Sequence, residues 1–340
     1  MPDELPVSPA LFTSAAPNNL NQLSVRIYHS IEEFESPCRP AVTVGVFDGV
    51  HRGHWGIIER LVCSAREKNC ESVVITFNPH PRLVLGNAEG VRLLQSLDEK
   101  LARFSEAGVD VVLVIPFDAS FANIDSSDFI RKVLVDIVRA SKVITGHDHM
   151  FGHGRQGDFA LLEEMGRTYN FEVEQVTAIE HCGRMVSSSA IRNAIIEGNL
   201  EMANCMLGYQ YTLTGKVVRG NQLGKLIGFP TANIELLDKY KLLPSNGVYA
   251  SLVLQGGVLY RGMSNIGTRP TIDANKLTIE VNIFDFDDDI YNETLVLKFV
   301  HRIRDEKKFG GLEQLKEQLS LDKERVKYLL DKDYQYGNLK

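Results

Sequence analysis

Along the first two hundred residues, short and almost wholly apolar runs alternate with stretches whose apolar residues recur every three or four positions. The runs AVTVGVF (Ala41–Phe47), SVVITF (Ser72–Phe77), VDVVLVIPF (Val109–Phe117) and KVITG (Lys142–Gly146) suit strands buried on both faces of a parallel sheet. Between them, Ile57, Ile58, Leu61, Val62 and Ala65 fall at helical spacing after His54, and Phe129, Val133, Ile137 and Val138 do so after a Ser126-Ser127-Asp128 start signal. Such alternation predicts a Rossmann-like α/β sheet, which holds ligands at the carboxyl ends of its strands.

The period changes at about Gly208. Tyr211 and Leu213 alternate with Thr212 and Thr214, and strands follow at VYASLVL (Val248–Leu254), VLYRGMSNIG (Val258–Gly267), LTIEVNIF (Leu277–Phe284) and TLVLKFVHRIR (Thr294–Arg304). Close spacing with Gly and Asn turns predicts an antiparallel β-barrel. A last amphipathic helix presents Leu312, Leu315, Leu319, Val326 and Leu329 to it. The expected fold class is α/β plus β: a poorly ordered tail over 1–24, an α/β domain over 25–207, a β-barrel domain with a C-terminal helix over 208–332, and a short tail over 333–340.

Composition narrows the partners. A net charge of −7 over 340 residues argues against general nucleic-acid affinity. No run of ~18 apolar residues occurs, and the leader lacks the basic start and apolar core of a signal peptide. The five cysteines (Cys38, Cys63, Cys70, Cys182, Cys205) form no C-x-x-C pair. No disulfide framework or thiolate metal site is expected, and reduced thiols fit the cytoplasm. His147, His149 and His153 match no closed structural zinc site, with no cysteine near them in sequence, so zinc is not expected.

Two stretches carry chemistry. In GVFDGVHRGH (Gly45–His54) a strand ends, two tight glycines follow (Gly49, Gly53), and a helix starts at about His54. A helix N-terminus offers free N–H groups to a phosphate. His51 and His54, three apart, can face one side of the first turn. Taken alone, they read either as structural histidines near a turn or as donors to a phosphate. In the second half, GKLIGFPTAN (Gly224–Asn233) with its run-up GKVVRG has Gly220, Gly224 and Gly228 for close backbone approach, Lys225 for charge, and Thr231 and Asn233 as oxygen ligands suited to Mg²⁺. A glycine-rich hairpin loop remains the other reading of those glycines.

The second stretch resembles the flavokinase signature, whose core is the Pro230-Thr231-Ala232-Asn233 string. The first resembles the H-x-G-H signature of nucleotidyltransferases, as His51-Arg52-Gly53-His54, and the whole string Gly45–His54 is similar to the adenylyltransferase half of the bacterial bifunctional riboflavin kinases/FAD synthetases. TFNPHPR (Thr76–Arg82), GHDHMFGHGRQGD (Gly146–Asp158), VSSSAIR (Val186–Arg192), NIGTRPTID (Asn265–Asp273) and RIRDEKKF (Arg302–Phe309) resemble further segments of that family, in its order.

The resemblance implies phosphorylation of riboflavin to FMN and adenylylation of FMN to FAD, with ATP as co-substrate and Mg²⁺ as cofactor. It implies His51, His54 and Glu280 as catalytic residues, Glu280 being the base on the LTIEVNIF strand. On alternation alone Glu280 is a solvated strand carboxylate, opposite in face to Leu277, Ile279, Val281 and Ile283. Nucleotide contacts are expected from Gly45, Phe47, Asp48, Gly49, Gly53, Ser188, Ser189, Arg192, Gly220, Gly224, Lys225 and Gly228. Flavin contacts are expected from Asn78, Asp148 and Arg304, and metal ligation from Thr231 and Asn233. Ser188 or Ser189 reads equally as a helix cap, and Arg304 as a basic residue closing the barrel end.

Asn78, His149, Ser189, Lys225 and Asn282 depart from common family choices. A chain with one working activity, a flavin-binding storage or regulatory protein, or another nucleotidyltransferase are the rival readings. The expected state is a monomer or weak homo-oligomer in the cytoplasm, with riboflavin, FMN, FAD and ATP as partners and neither nucleic acid nor membrane.

Overall fold

The four apolar runs of the first half do lie side by side in one parallel sheet. A computed structural model describes residues 25–86, 90–147, 149–181, 183–220, 223–270 and 275–335. The strands are β1 (Arg26–Tyr28), β2 (Ala41–Val44), β3 (Ser72–Asn78), β4 (Val111–Pro116), β5 (Lys142–Gly146) and β6 (Glu172–Val176), in the order β1-β4-β3-β2-β5-β6. Every pairing is parallel. Alternate residues bury themselves on opposite faces: Val42, Val44, Val73, Ile75, Val111 and Leu113 on one, Ala41, Val74, Val112, Val114 and Ile144 on the other. This is why the runs read as continuous apolar sequence. The edge strands β1 and β6 escape the sequence pattern because each has a solvated side and carries Arg26, Glu172 and Glu174.

β2 sits between β3 and β5. The next strands in sequence, β3 and β4, lie on one side of it and β5 and β6 on the other, so the crevice beyond the carboxyl ends of β2 and β5 is the topological switch point. The loop Gly45–His51 occupies that position, followed by the helix Arg52–Glu67. The helix begins two residues before His54, with His51 as its N-cap. Similarly, Asp125 caps the later helix, and Ser126, Ser127 and Asp128 form its first turn.

A two-stranded hairpin, β7 (Glu180–His181) and β8 (Arg184–Met185), precedes the helices Ser188–Ile196 and Leu200–Leu207. The second half is a closed antiparallel barrel of β9 (Tyr211–Val218), β10 (Ala232–Leu236), β11 (Gly247–Gln255), β12 (Val258–Pro270), β13 (Asn275–Ile283) and β14 (Thr294–Arg304), ordered β10-β13-β12-β11-β14-β9. β11 is apolar on both sides because the helix Leu312–Gln335 packs Val326 and Leu330 onto Val248, Ala250 and Leu252. The helix contacts differ from the expected set. Leu312 is exposed, and the buried stripe is Leu319, Asp322, Val326 and Leu330, where Asp322 is held by Arg304 through two nitrogens at 2.6–3.0 Å. Leu277 is likewise exposed, at the open end of β13.

By contacts, the described residues up to Tyr209 form one unit together with Lys239–Leu243, and Gln210–Asp238 with the described residues from Pro244 form the other. The tail 1–24, Asp148, Asp273 and residues 336–340 lie outside the described residues. One cysteine differs from expectation: Cys205 is disulfide-bonded, whereas Cys38, Cys63 and Cys70 are free.

Candidate functional site

The loop after β2 is bent against its backbone preferences. Phe47 and Val50 adopt φ of 49° and 31°, and Gly49 lies at 91°. Left-handed φ at a bulky or β-branched residue is strained and persists only when neighbours enforce it. Asp48 is the enforcer. Its Oδ1 accepts the Leu94 amide at 2.9 Å and the Gln95 amide at 3.3 Å. Its Oδ2 takes the Arg192 guanidinium at 2.5 Å, and its carbonyl accepts the Ser188 hydroxyl at 2.8 Å. Gly49 is required as glycine twice over, since a Cβ there would also meet Leu94 Cδ1 at 2.8 Å. Its carbonyl accepts from the buried Tyr209 hydroxyl at 2.7 Å. Lys100, itself buried, donates to the Val46 carbonyl at 2.7 Å.

So held, the loop delivers His51 to the helix start. His51 Nδ1 accepts from the His54 amide at 3.3 Å, so the ring proton resides on Nε2, which is a donor. The two imidazoles stack, with centroids 3.6 Å apart. Gly53 lies against the His51 ring, and Gly45 beneath the Phe47 ring, whose edge also meets His54 at 5.2 Å. Burial, then His51 and Lys100, depress the His54 pKa well below its ordinary value, so the ring is neutral at pH 7. Its Nδ1 is buried with no partner among the described residues. The helix Ser188–Ile196 also starts here, its cap being Ser187 instead of Ser188 or Ser189. Two helix N-termini thus approach the loop 47–53, an arrangement suited to a polyanion.

In the barrel, Thr231 and Glu280 meet across the ends of β10 and β13. Asn233 is the strand partner of Glu280, and Thr231 Oγ1 lies 3.4 Å from Glu280 Oε2. Any side chain at Gly220 would strike Asn233, its Cβ falling 2.0 Å from Nδ2. Gly224 is closed onto Phe229 by a 2.8 Å backbone bond, with Gly228 at φ 85° completing the turn. Beside them opens a cavity of about 300 Å³, lined by Lys225, Thr231, Ile283, Phe286 and the run Asp287–Asp289 among others. No group of three His, Cys, Asp or Glu among the described residues could hold a metal ion. A hard cation here would rest on hydroxyl, amide and ligand phosphate oxygens, which suits Mg²⁺.

Residues 33–190 match the family model described as FAD synthetase, and residues 207–330 the one described as riboflavin kinase. A bifunctional riboflavin kinase/FMN adenylyltransferase of Escherichia coli (strain K12) is 38% identical over 282 residues, covering 83% of this chain and 90% of that one. The chain belongs to this bifunctional riboflavin kinase/FMN adenylyltransferase family. Its Bacillus subtilis (strain 168) relative is 34% identical over 88% of this chain and 95% of its own length. A crystal structure named as a macrolide-efflux protein from Streptococcus pneumoniae superposes with a TM-score of 0.81 at 31% identity, covering 89% of this chain and 98% of that one. No helix among the described residues here is long and apolar enough to cross a membrane.

Within this family frame, the structure brings together Gly45, Phe47, Asp48, Gly49, His51, Gly53, His54, Ser188 and Arg192 on one side, and Gly220, Gly224, Thr231, Asn233 and Glu280 on the other. Ser189 is exposed in the first turn of its helix, and Asn78 is exposed at the end of β3. Arg304, expected on the flavin side, has its guanidinium fastened to Asp322 and to the Asp305 carbonyl, as a clamp between barrel and helix. Three polar residues near the first site escaped the sequence reading. Lys100 has its pKa pulled down to about 8, chiefly by burial. His80, the cap of the helix Pro81–Leu85, is pulled down to about 4 for the same reason. Gln95 links Asp48 to Tyr209 through its amide and side chain. His80 stood inside the TFNPHPR stretch and was findable there. Lys100 had no local signal, because it looks like any helix-surface lysine.

Proposed function

We propose that riboflavin is phosphorylated by ATP at Thr231 and Glu280, and that FMN is adenylylated to FAD by a second ATP at His51 and His54, with release of pyrophosphate. The observation that carries the division of labour is that each compact unit holds one such constellation. Glu280 accepts the proton of the riboflavin 5′-hydroxyl, whose oxygen bonds to the γ-phosphorus as the bond to the ADP oxygen breaks. Thr231 Oγ1, within reach of Glu280, fixes the carboxylate side of that reaction. Thr231 and Asn233 would hold Mg²⁺, which when bound neutralises charge on the phosphates. Lys225 adds a cation at the cavity, without the two-pronged geometry of an arginine.

In the first unit, an FMN phosphate oxygen bonds to the α-phosphorus and pyrophosphate leaves. His51 Nε2–H and the neutral His54 donate hydrogen bonds to the charge that builds there, backed by the helix N-terminus. Arg192, anchored by Asp48, adds fixed positive charge. Gly45–Gly49 and Ser188 shape the nucleotide pocket, and Asn78 and Asp148 are assigned to the flavin side. We set the domain boundary at 207/208 and place the chain in the cytoplasm as a monomer or weak homo-oligomer. Among the described cysteines, Cys38, Cys63 and Cys70 are free, in keeping with that setting, whereas the bonded Cys205 is not.

The test is chromatography of riboflavin, ATP and Mg²⁺ incubated with the pure protein, with and without a chelator. FMN followed by FAD, both lost on chelation, is the expected result. FMN alone would leave the His51 and His54 site without turnover. Tight flavin binding with no ATP consumed would replace the enzymatic reading with a storage role.

A further inference from the structure

Five residues of the second half of the sequence are built into the first unit: Lys239–Leu243. Their backbone pairs with the segment before the helix Leu97–Glu106. The Leu93 amide donates to the Tyr240 carbonyl and the Leu242 amide to the Leu93 carbonyl, both at 2.8 Å. At the centre stands Lys241, 4% exposed. Its ammonium donates to the Leu94 carbonyl at 2.8 Å and to Glu99 Oε2 at 2.5 Å.

The Leu94 carbonyl belongs to the same peptide group as the Gln95 amide, and that amide donates to Asp48 Oδ1. A cation on the oxygen of a peptide polarises its N–H and strengthens the bond that the N–H makes. The connection therefore runs from Lys241 through one peptide unit to the carboxylate that holds the strained loop. Glu99 ties the same ammonium to the capping box of the helix Leu97–Glu106, where it also accepts the Ser96 amide. The next residue of that helix, Lys100, holds Val46. Both ends of the bend after β2 thus depend on the segment that Lys241 fastens.

We propose that Lys241 is a positioning residue for adenylylation, although it lies in the sequence span of the riboflavin kinase domain. It touches no substrate; it sets the place of Asp48, and through Asp48 that of His51. The inference rests on the assignment of adenylylation to the first unit. FAD formation from FMN by the unaltered chain, and its loss in His54→Ala with riboflavin phosphorylation kept, test that assignment separately.

The experiment compares the full chain, Lys241→Met, and Lys241→Met with Glu99→Gln, reading both reactions and the thermal midpoint. Lys241→Met is expected to lower kcat of adenylylation by about 10- to 100-fold, the scale of a misplaced reacting geometry, with KM for FMN and riboflavin phosphorylation unchanged. The double variant removes the charge of the half-buried carboxylate that has lost its ammonium, and the oxygen of the new carboxamide still accepts the Ser96 amide. It should regain the thermal midpoint but not the adenylylation rate, because the Leu94 carbonyl still lacks its cation. Recovery of both together would make Lys241 a purely structural ion pair and overturn the proposal. So would parallel loss of both reactions in Lys241→Met, or unchanged adenylylation.

Discussion

At the first site one carboxylate, Asp48, engages two backbone amides and a guanidinium, and the loop around it is already fixed in place. At the second, Glu280 meets Thr231 at 3.4 Å beside a cavity of about 300 Å³. One loop is held at many points by its own side chains; the other site keeps an open cavity beside Thr231. The chemistry gives a reason. Adenylylation relies on donors aimed at developing charge, which work best when fixed in advance. Kinase chemistry relies on a nucleotide and cation that bring much of the electrostatics with them. The cost of a prebuilt site is backbone strain at Phe47 and Val50, which has to be held by packing and hydrogen bonds elsewhere.

The comparison breaks first at the catalytic side chains. Glu280→Gln should lower riboflavin phosphorylation by about 10²- to 10⁴-fold, as expected for loss of a general base, while FAD still forms from supplied FMN. His54→Ala should do the reverse. Parallel loss of both reactions in either variant would show that the two centres are not separate. A smaller but sharper effect is expected at Asp48. Asp48→Asn leaves Arg192 without its carboxylate in a largely enclosed site, which should destabilise the protein by about 3 kcal/mol and slow adenylylation. Glu280 stands on a regular barrel strand and restrains no strained loop, so Glu280→Gln should leave the denaturation midpoint nearly unchanged. A large shift in that midpoint would contradict the contrast.

The smallest effect is in pH dependence. The folded His80 titrates near 4 against an ordinary 6.5, so between those values the unfolded chain binds a proton that the folded chain does not. Stability should therefore fall as pH drops from about 6.5 to 4, by about 2–3 kcal/mol from this group, and His54 acts in the same direction. Glu174, held down to about 2 by Arg60 and then Lys142, loses its contribution only below about 4.5. Urea unfolding at pH 7 and pH 5 should show a slope that His80→Gln reduces. An identical slope in the variant would remove His80 from the account.

How much of this was legible before folding depends on the range of the interaction. The fully buried strands announce themselves, since β2, β3, β4 and β5 must be apolar on both faces. The barrel does so by alternation, and β14 runs over Thr294–Arg304 as its pattern predicts. The motif strings give the two sites because backbone bends and helix starts are local: glycines at Gly45, Gly49 and Gly53, and histidines one turn apart. The sequence by itself therefore determined the two architectures and their order, and it named the side chains that we propose for their centres. Only the tertiary structure decided that Asp48 is a hub, that Arg304 is a clamp on Asp322, that Lys100 and Lys241 are buried, and that five residues of the second half belong to the first unit. A lysine carries the same local signature on a surface as in a core. What separates the two is a carbonyl or carboxylate brought from ~50 or ~150 residues away, and no local period encodes such a partner.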